Sequence, residues 1–423
     1  MSKTKLRPLS GSTIQLVDGD RGVNYPNKKD FSDNGFCLFL DSSNLTKNGF
    51  DFSSKVFISK NKDEAMGNGK LKRGDLVMNT RGTIGNMGVY KENVPYENIR
   101  INSGMLIIRG GADYDNGFLY GFFRSNLFYK QVENIMSGSV QSQLPIWIFN
   151  FIQVPELNIP AQKKISAVLS ALDSKIELNN KINTKLEQMA KTLYDYWFVQ
   201  FDFPDQNGKP YKTSGGKMVW SKELKRDIPE GWEVKKINSK IKIGSGYPFK
   251  TEDYNDNGKY KIITIKSVQE GYLDTNKADK IDFIPDNFPD FCKLDKGDVL
   301  MSLTGNVGRM CFVNQENLLL NQRVGKLLAN RNFIQYGYLY FQRPENQKRL
   351  EKIANGSSQS NLSPVDAVKD YFAVPKDEIL NAFSTTINLV FNKLLKIQEE
   401  NQKLAELRDW LLPMLMNGQV AVK

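Results

Sequence analysis

The residues with which this chain could do covalent chemistry are few. Histidine is absent from all 423 positions, which removes the commonest general base, the triad imidazole and the commonest metal ligand together. Any hydrolysis would have to run on carboxylates and lysines. Pro204-Asp205 with Glu233-Val234-Lys235 can be forced into a carboxylate nuclease pattern. Such loose spacing recurs by chance in a chain that is 25% charged, and Asp205 lies in a stretch of breakers with no counterpart elsewhere. An Asn/Asp-Pro-Pro-Tyr/Phe methyltransferase tetrapeptide is absent, as is a glycine-rich loop ending in Gly-Lys-Ser/Thr. Cys37, Cys292 and Cys311 form no CxxC and cannot all pair, so they read as buried thiols of a reducing compartment. No catalytic and no metal-binding residue is assigned.

Recognition chemistry is better represented. The 58 Lys plus Arg against 47 Asp plus Glu give a formal charge of +11 and a pI near 9.2, which suits a polyanion such as nucleic acid. Arg and Lys match guanine edges, Asn and Gln match adenine, and Thr meets the thymine methyl. Two glycine-punctuated runs offer such side chains, Thr80, Arg81 and Thr83 in one and Thr304, Asn306 and Arg309 in the other. Gln141 and Gln143, and again Gln359 and Asn361, follow Gly-Ser pairs whose backbone and hydroxyl donors suit phosphate. Lys70, Lys72, Arg73, Lys293 and Lys296 read as charges facing a phosphate backbone. The competing reading makes each of these a polar turn residue or solvated rim around glycines that the backbone requires.

These runs come in pairs because the chain is a tandem duplication. Leu71-Lys-Arg-Gly-Asp-Leu-Val-Met-Asn-Thr-Arg-Gly-Thr-Ile-Gly-Asn-Met87 matches Leu294-Asp-Lys-Gly-Asp-Val-Leu-Met-Ser-Leu-Thr-Gly-Asn-Val-Gly-Arg-Met310 at one constant offset. Ser137–Leu144 answers Asn355–Leu362, and Val154-Pro155 answers Val374-Pro375. Each half reads as a mixed α+β globule followed by one long helix. Strands are expected at 55–60, 75–79 and 105–109, repeated at 260–266, 298–303 and 323–328. Short helices are expected near 118–133 and 336–354.

The first long helix is expected over 160–198, where no Gly or Pro interrupts a heptad seam through Ile165, Leu169, Leu172, Ile176, Asn179, Asn183, Leu186, Ala190, Leu193 and Trp197. A narrow apolar edge of this kind needs a partner helix. The same seam recurs as Phe383, Ile387, Val390, Leu394, Ile397, Asn401, Leu404, Arg408, Leu411 and Leu415, so the partner is the C-terminal helix, from Asp377 to Leu412 before Pro413 and Gly418. Asn183 and Asn401 occupy matching seam positions and are expected to pin the register against each other. Arg408 breaks the pattern and is expected near a frayed end. Residues 201–216, rich in Pro and Gly, read as an extended connector. The fold expected is thus α+β: globular domains at 1–155 and 201–376, the latter including the connector, with long antiparallel helices at 156–200 and 377–423.

The chain resembles the specificity subunits of type I restriction-modification systems over essentially its whole length. The resemblance rests on Ile159-Pro-Ala-Gln-Lys-Lys-Ile165, Leu172-Asp-Ser-Lys-Ile176, Trp197-Phe-Val-Gln-Phe-Asp-Phe-Pro204 with Asn207-Gly-Lys-Pro-Tyr211, Ile228-Pro-Glu-Gly-Trp232, and the Gly297–Gly308 run. The first half lacks the Pro-Glu-Gly-Trp opening of the second. The resemblance implies a non-catalytic subunit that reads a bipartite, asymmetric duplex DNA target, one domain per half-site. The helices would act as a spacer and dock two methyltransferase subunits, with restriction subunits joining the complex. S-adenosylmethionine, ATP and Mg²⁺ would then belong to partner subunits, and no cofactor to this chain. Rival readings are a stand-alone DNA nuclease or methyltransferase, and a non-specific coiled-coil DNA scaffold. With no apolar run of membrane-spanning length and no signal segment, the expected location is the cytoplasm.

Overall fold

Alternation along one strand explains the layering of each half. In Leu76–Asn79, Leu76 and Met78 point into one apolar cluster while Val77 points into another. In Val299–Ser302, Val299 and Met301 join one cluster and Leu300 the other. Side chains of a strand project to opposite faces with period two, so a strand apolar at every position is a central one, covered on both sides. The computed structural model describes residues 4–46, 49–136, 143–355, 360–420 and 422. They form two compact units, Met1–Leu178 with Lys403–Lys423, and Asn179–Gln402.

In the first unit the central sheet runs in the order Gln15–Asp18, Met105–Arg109, Leu76–Asn79, Met87–Val89, all antiparallel. A smaller sheet, Phe57–Ile58, Cys37–Leu40 and Ile99–Ile101, covers one face and contains a parallel pair. The other face is covered by Asn116–Phe123 and Asn126–Met136. The second unit repeats this order as Ile241–Ser245, Val324–Ala329, Val299–Ser302 and Met310–Phe312. Its small sheet again holds one parallel pair, Tyr260–Ile263 with Leu318–Leu320, and its helices are Arg331–Phe341 and Pro344–Ile353. Each single helix expected from sequence is therefore a pair, broken at Arg124-Ser125 and at Gln342-Arg343.

Leu6–Pro8 pairs with Gln153–Pro155, as Glu233–Lys236 pairs with Tyr371–Val374. The first half thus opens on the same kind of strand without the Pro-Glu-Gly-Trp motif. In the second half Trp232 stacks on Phe203 (5.4 Å between centroids, 23°) and meets Phe201 edge-on. Phe201 and Phe203 are buried with it, so the connector expected to be extended is anchored in the core of the second unit. Its chain then forms a hairpin, Met218–Ser221 with Arg226–Pro229.

The long helices span Ile159–Tyr194, continued by a π-helical turn at Asp195–Val199, and Asp377–Met416. Pro413 does not end the second helix. It lies within the last turn, and the chain leaves at Gly418, whose φ of 67° is easily adopted only by glycine. Within each unit the two helices run antiparallel. In the first, Ile165 and Leu169 share a cluster with Leu412, Leu415 and Met416. In the second, Tyr194 and Trp197 pack on Phe383.

Two expectations about the seam are corrected. Asn401 bonds not to Asn183 but to residues one turn earlier: Asn179 Nδ2 donates to Asn401 Oδ1 (2.9 Å), and Asn401 Nδ2 donates to Asn180 Oδ1 (2.9 Å). Repeat-equivalent residues of an antiparallel pair meet only where the register happens to bring them together. Arg408 is not at a frayed end. It is partly buried, and its Nη1 donates to Asp173 Oδ1 (3.0 Å), while Arg124 Nη1 donates to Asp173 Oδ2 (2.8 Å).

Candidate nucleic-acid interface

The glycine run of each half is a tight loop joining two antiparallel strands of the central sheet. In the first half Asn79 N–H donates to Asn86 O and Gly85 N–H to Asn79 O; in the second, Ser302 N–H donates to Arg309 O and Gly308 N–H to Ser302 O. Gly82, Gly85, Gly305 and Gly308 all take φ between 71° and 84°, which side-chain-bearing residues rarely adopt. The polar residue at the strand end ties each loop internally. Asn79 Nδ2 donates to Thr83 Oγ1 (2.7 Å) and to Ser42 O (2.8 Å). Ser302 Oγ donates to Asn306 O and accepts from Arg309 N–H.

The second paired run lies against the first. Arg81 bridges to Gln143 and Thr304 to Asn361 in antiparallel fashion. Leu144 N–H donates to Thr80 O (2.7 Å), and Leu362 N–H to Leu303 O (2.7 Å). Residues about sixty apart in sequence thus form a short two-stranded ribbon beside each glycine loop. Arg81, Thr83 and Gln143 are exposed on the first ribbon, Asn306 and Asn361 on the second. Arg309 is half-buried, within 3.4 Å of Gln269 Oε1. Gln141 and Gln359 lie outside the described residues.

Other candidates have duties inside the protein. Thr80 and Thr304 are buried; the first is tied through its backbone, and the second bonds Asn361 Oδ1 (3.0 Å). Lys70 pairs with Asp63, which also receives Arg100 Nε (2.6 Å). Burial pushes the Asp63 carboxyl up, but Lys70 and Arg100 more than offset this and hold it below the ordinary carboxylate value. Arg73 donates to the carbonyls of Lys91, Val94 and Tyr96 and lies over the Tyr90 ring at 4.2 Å. Lys293 bonds Asp290 (3.2 Å), and Lys296 pairs with Glu399 of the long helix (3.2 Å). Lys70 and Arg73 are thus engaged within the protein, whereas Lys293 and Lys296, though paired with Asp290 and Glu399, stay exposed, as does Lys72.

The Gly-Asp pair shared by the halves is structural too. Asp75 takes a two-pronged contact from Arg109 (2.7 and 2.9 Å), and Asp298 pairs with Lys326 (2.6 Å). Sequence reading missed Gln162, which has no exposed surface. Its Oε1 accepts from Asp115 N–H, and its Nε2 donates to the Asp113 and Leu157 carbonyls, stapling the first long helix to its globule. A lone Gln in a basic helical stretch carries no signal of such burial.

The molecule is thus a duplicated α+β protein, each copy of one sheet presenting a glycine loop and a polar ribbon with different side chains. The type I restriction modification DNA specificity domain matches twice, over residues 17–188 and 229–398. The chain belongs to that family. The specificity subunit of the type I restriction enzyme MjaIX of Methanocaldococcus jannaschii is 25% identical over 368 residues, covering 83% of this chain and 78% of that one. The HindI specificity subunit of Haemophilus influenzae is 24% identical over 463 residues, covering 95% and 98%. The fold is like that of the crystallised type I restriction-modification S subunit from M. genitalium, with a TM-score of 0.53 at 14% identity over 97% and 96% of the two chains. No helix among the described residues is long and apolar enough to cross a membrane.

Proposed function

We propose that this chain is the non-catalytic DNA-reading subunit of a type I restriction-modification complex, and that each unit reads one half of a bipartite, asymmetric duplex target. The observation that carries this is the ribbon built twice on one scaffold with different exposed residues. Arg81 is suited to guanine O6 and N7, Gln143 and Asn361 to adenine N6 and N7, and Thr83 to a thymine methyl. Unlike readers on like scaffolds are what two unlike half-sites require. Asn306 and Arg309 flank the second ribbon, and Lys72 is available to a phosphate. Gln141 and Gln359 precede Gln143 and Asn361 by two residues in sequence.

Methyl transfer and cleavage, with their S-adenosylmethionine, ATP and Mg²⁺, fall to methyltransferase and restriction subunits, the former docking on exposed faces of the long helices. The test is a methylation-site map of the chain assembled with a modification subunit. A bipartite consensus is expected, with Arg81→Ala/Thr83→Ala altering one half and Asn306→Ala/Arg309→Ala the other. Methylation without any consensus would refute the reading, as would nucleotide release by this chain alone with Mg²⁺.

A further inference from the structure

Beneath each glycine loop stands one side chain from the second helix of the helical pair, at the same position of the repeat. In the first unit it is Tyr129, whose hydroxyl is 3.5 Å from Gly85 O. A Cβ on Gly85 would fall 2.1 Å from that hydroxyl. In the second unit it is Gln347, whose Nε2 donates to Gly308 O (3.0 Å) and to Phe341 O (2.7 Å). A Cβ on Gly308 would fall 2.7 Å from Gln347 Oε1. Each loop therefore rests directly on this side chain, with no room for even a methyl group between them. The supports differ in length and in stiffness. Tyr129 is a rigid ring held beside Phe128 (5.4 Å between centroids), whereas Gln347 is a flexible side chain whose Nε2 donates to two carbonyls.

Resting on the proposed reading of DNA, we infer that Tyr129 and Gln347 are positioning residues for recognition. The side chain at this position sets where the glycine loop and its ribbon stand, and so which base edge the exposed residues reach in that half-site. Neither residue touches DNA in this scheme. Loop height matters because a two-pronged contact to a base edge requires hydrogen-bond distances and angles that a shift of an ångström destroys.

The test is enrichment of bound duplexes from a random-sequence pool by the full chain assembled with its modification subunits, for wild type, Gln347→Leu, Gln347→Glu and Tyr129→Phe. Gln347→Leu removes both donated bonds, Gln347→Glu keeps the volume but sets a carboxylate against two carbonyls, and Tyr129→Phe removes only a hydroxyl. Either Gln347 variant should lower discrimination about tenfold at base pairs of one half-site, the scale of one lost base contact. The other half-site and the salt dependence should remain as in wild type, while the bonds lost at the Gly308 and Phe341 carbonyls lower the melting midpoint modestly. Tyr129→Phe should act on the opposite half. A wild-type complex that enriches no bipartite motif would refute the proposed function itself. A wild-type motif that survives unchanged in all three variants would overturn this inference alone, as would equal weakening of both halves. If Gln347→Leu fails to fold, Gln347→Glu and Tyr129→Phe decide.

Discussion

At the centre of the short parallel strand the first unit carries Arg100 and the second carries Leu319. Arg100 is 4% exposed and Leu319 is 1% exposed. Arg100 needs the Asp63 carboxylate and four carbonyls, of Asp63, Met66, Gly67 and Asn68, to satisfy its guanidinium. Leu319 needs only apolar neighbours. The contrast recurs at the helix seam. The first unit places Arg124, Asp173 and Arg408 together, whereas the repeat-equivalent positions of the second are Gln342, Phe391 and Ala190. There Phe391 packs at a tilt against Phe312 and edge-on against Tyr338. At these two places the same backbone plan is thus held by ion pairs in the first half and by apolar packing in the second. The lesson is that topology constrains where a side chain must be satisfied, not with what chemistry.

Removing one partner of a buried ion pair leaves a charge uncompensated, so Asp63→Ala should cost about 3–5 kcal/mol. Leu319→Ala should cost about 2–5 kcal/mol through a cavity. Hydrogen exchange should show Ile99–Ile101 released in the first variant and Leu318–Leu320 in the second; release of both strands in either variant would contradict independent packing. The two should also differ in pH response. Because the folded Asp63 carboxyl lies below its ordinary value, its contribution is present above the unfolded pKa and is lost as pH falls through the folded one. Acid below about pH 4 should therefore weaken the first small sheet in wild type, and Asp63→Asn should remove that part of the dependence.

A smaller effect is expected at the seam. Asp173→Ala sets two arginines side by side, but the three groups keep roughly a fifth of their side-chain surface in solvent, so about 1–3 kcal/mol is expected. Phe391→Ala should cost about 3–5 kcal/mol. Urea melts of both variants check the order; an equal or greater loss for Asp173→Ala would mean that the ion layer is drier than its exposure indicates. In the polar layer of the second unit, Asn401→Ala leaves the buried Asn179 short of one acceptor, which should cost about 1–3 kcal/mol. The smallest response should come from the thiols. Burial pushes Cys37 up to about 12 and Cys292 up to about 11, so neither should react with a thiol reagent at pH 8 until the chain unfolds.

Much of this architecture was legible in one dimension because duplication doubles every signal. The repeated Gly-Asp and glycine runs located the central strands, and Met105–Arg109 falls where expected. The short strands Gln15–Asp18, Cys37–Leu40 and Ile99–Ile101 were not legible. Three or four residues are too few to display a period, and burial on both faces erases alternation. The partners of the cationic candidates were not legible for a different reason. Sequence position places Lys70, Arg73 and Lys296 near the glycine loops, but only the folded chain brings Asp63, the Lys91 carbonyl and Glu399 to them.

By itself the sequence determined the tandem plan, the two long helices, their mutual partnership and the glycines of the two central-sheet loops. These follow from local periodicity and from backbone conformations that only certain residues adopt, and both are written residue by residue. Tertiary structure alone decided that Asn401 meets Asn179 and Asn180, that Arg408 is an ion-pair partner, and that Arg81 lies beside Gln143 as Thr304 lies beside Asn361. Contact between distant residues depends on register and on loop closure, quantities that no single stretch of chain encodes.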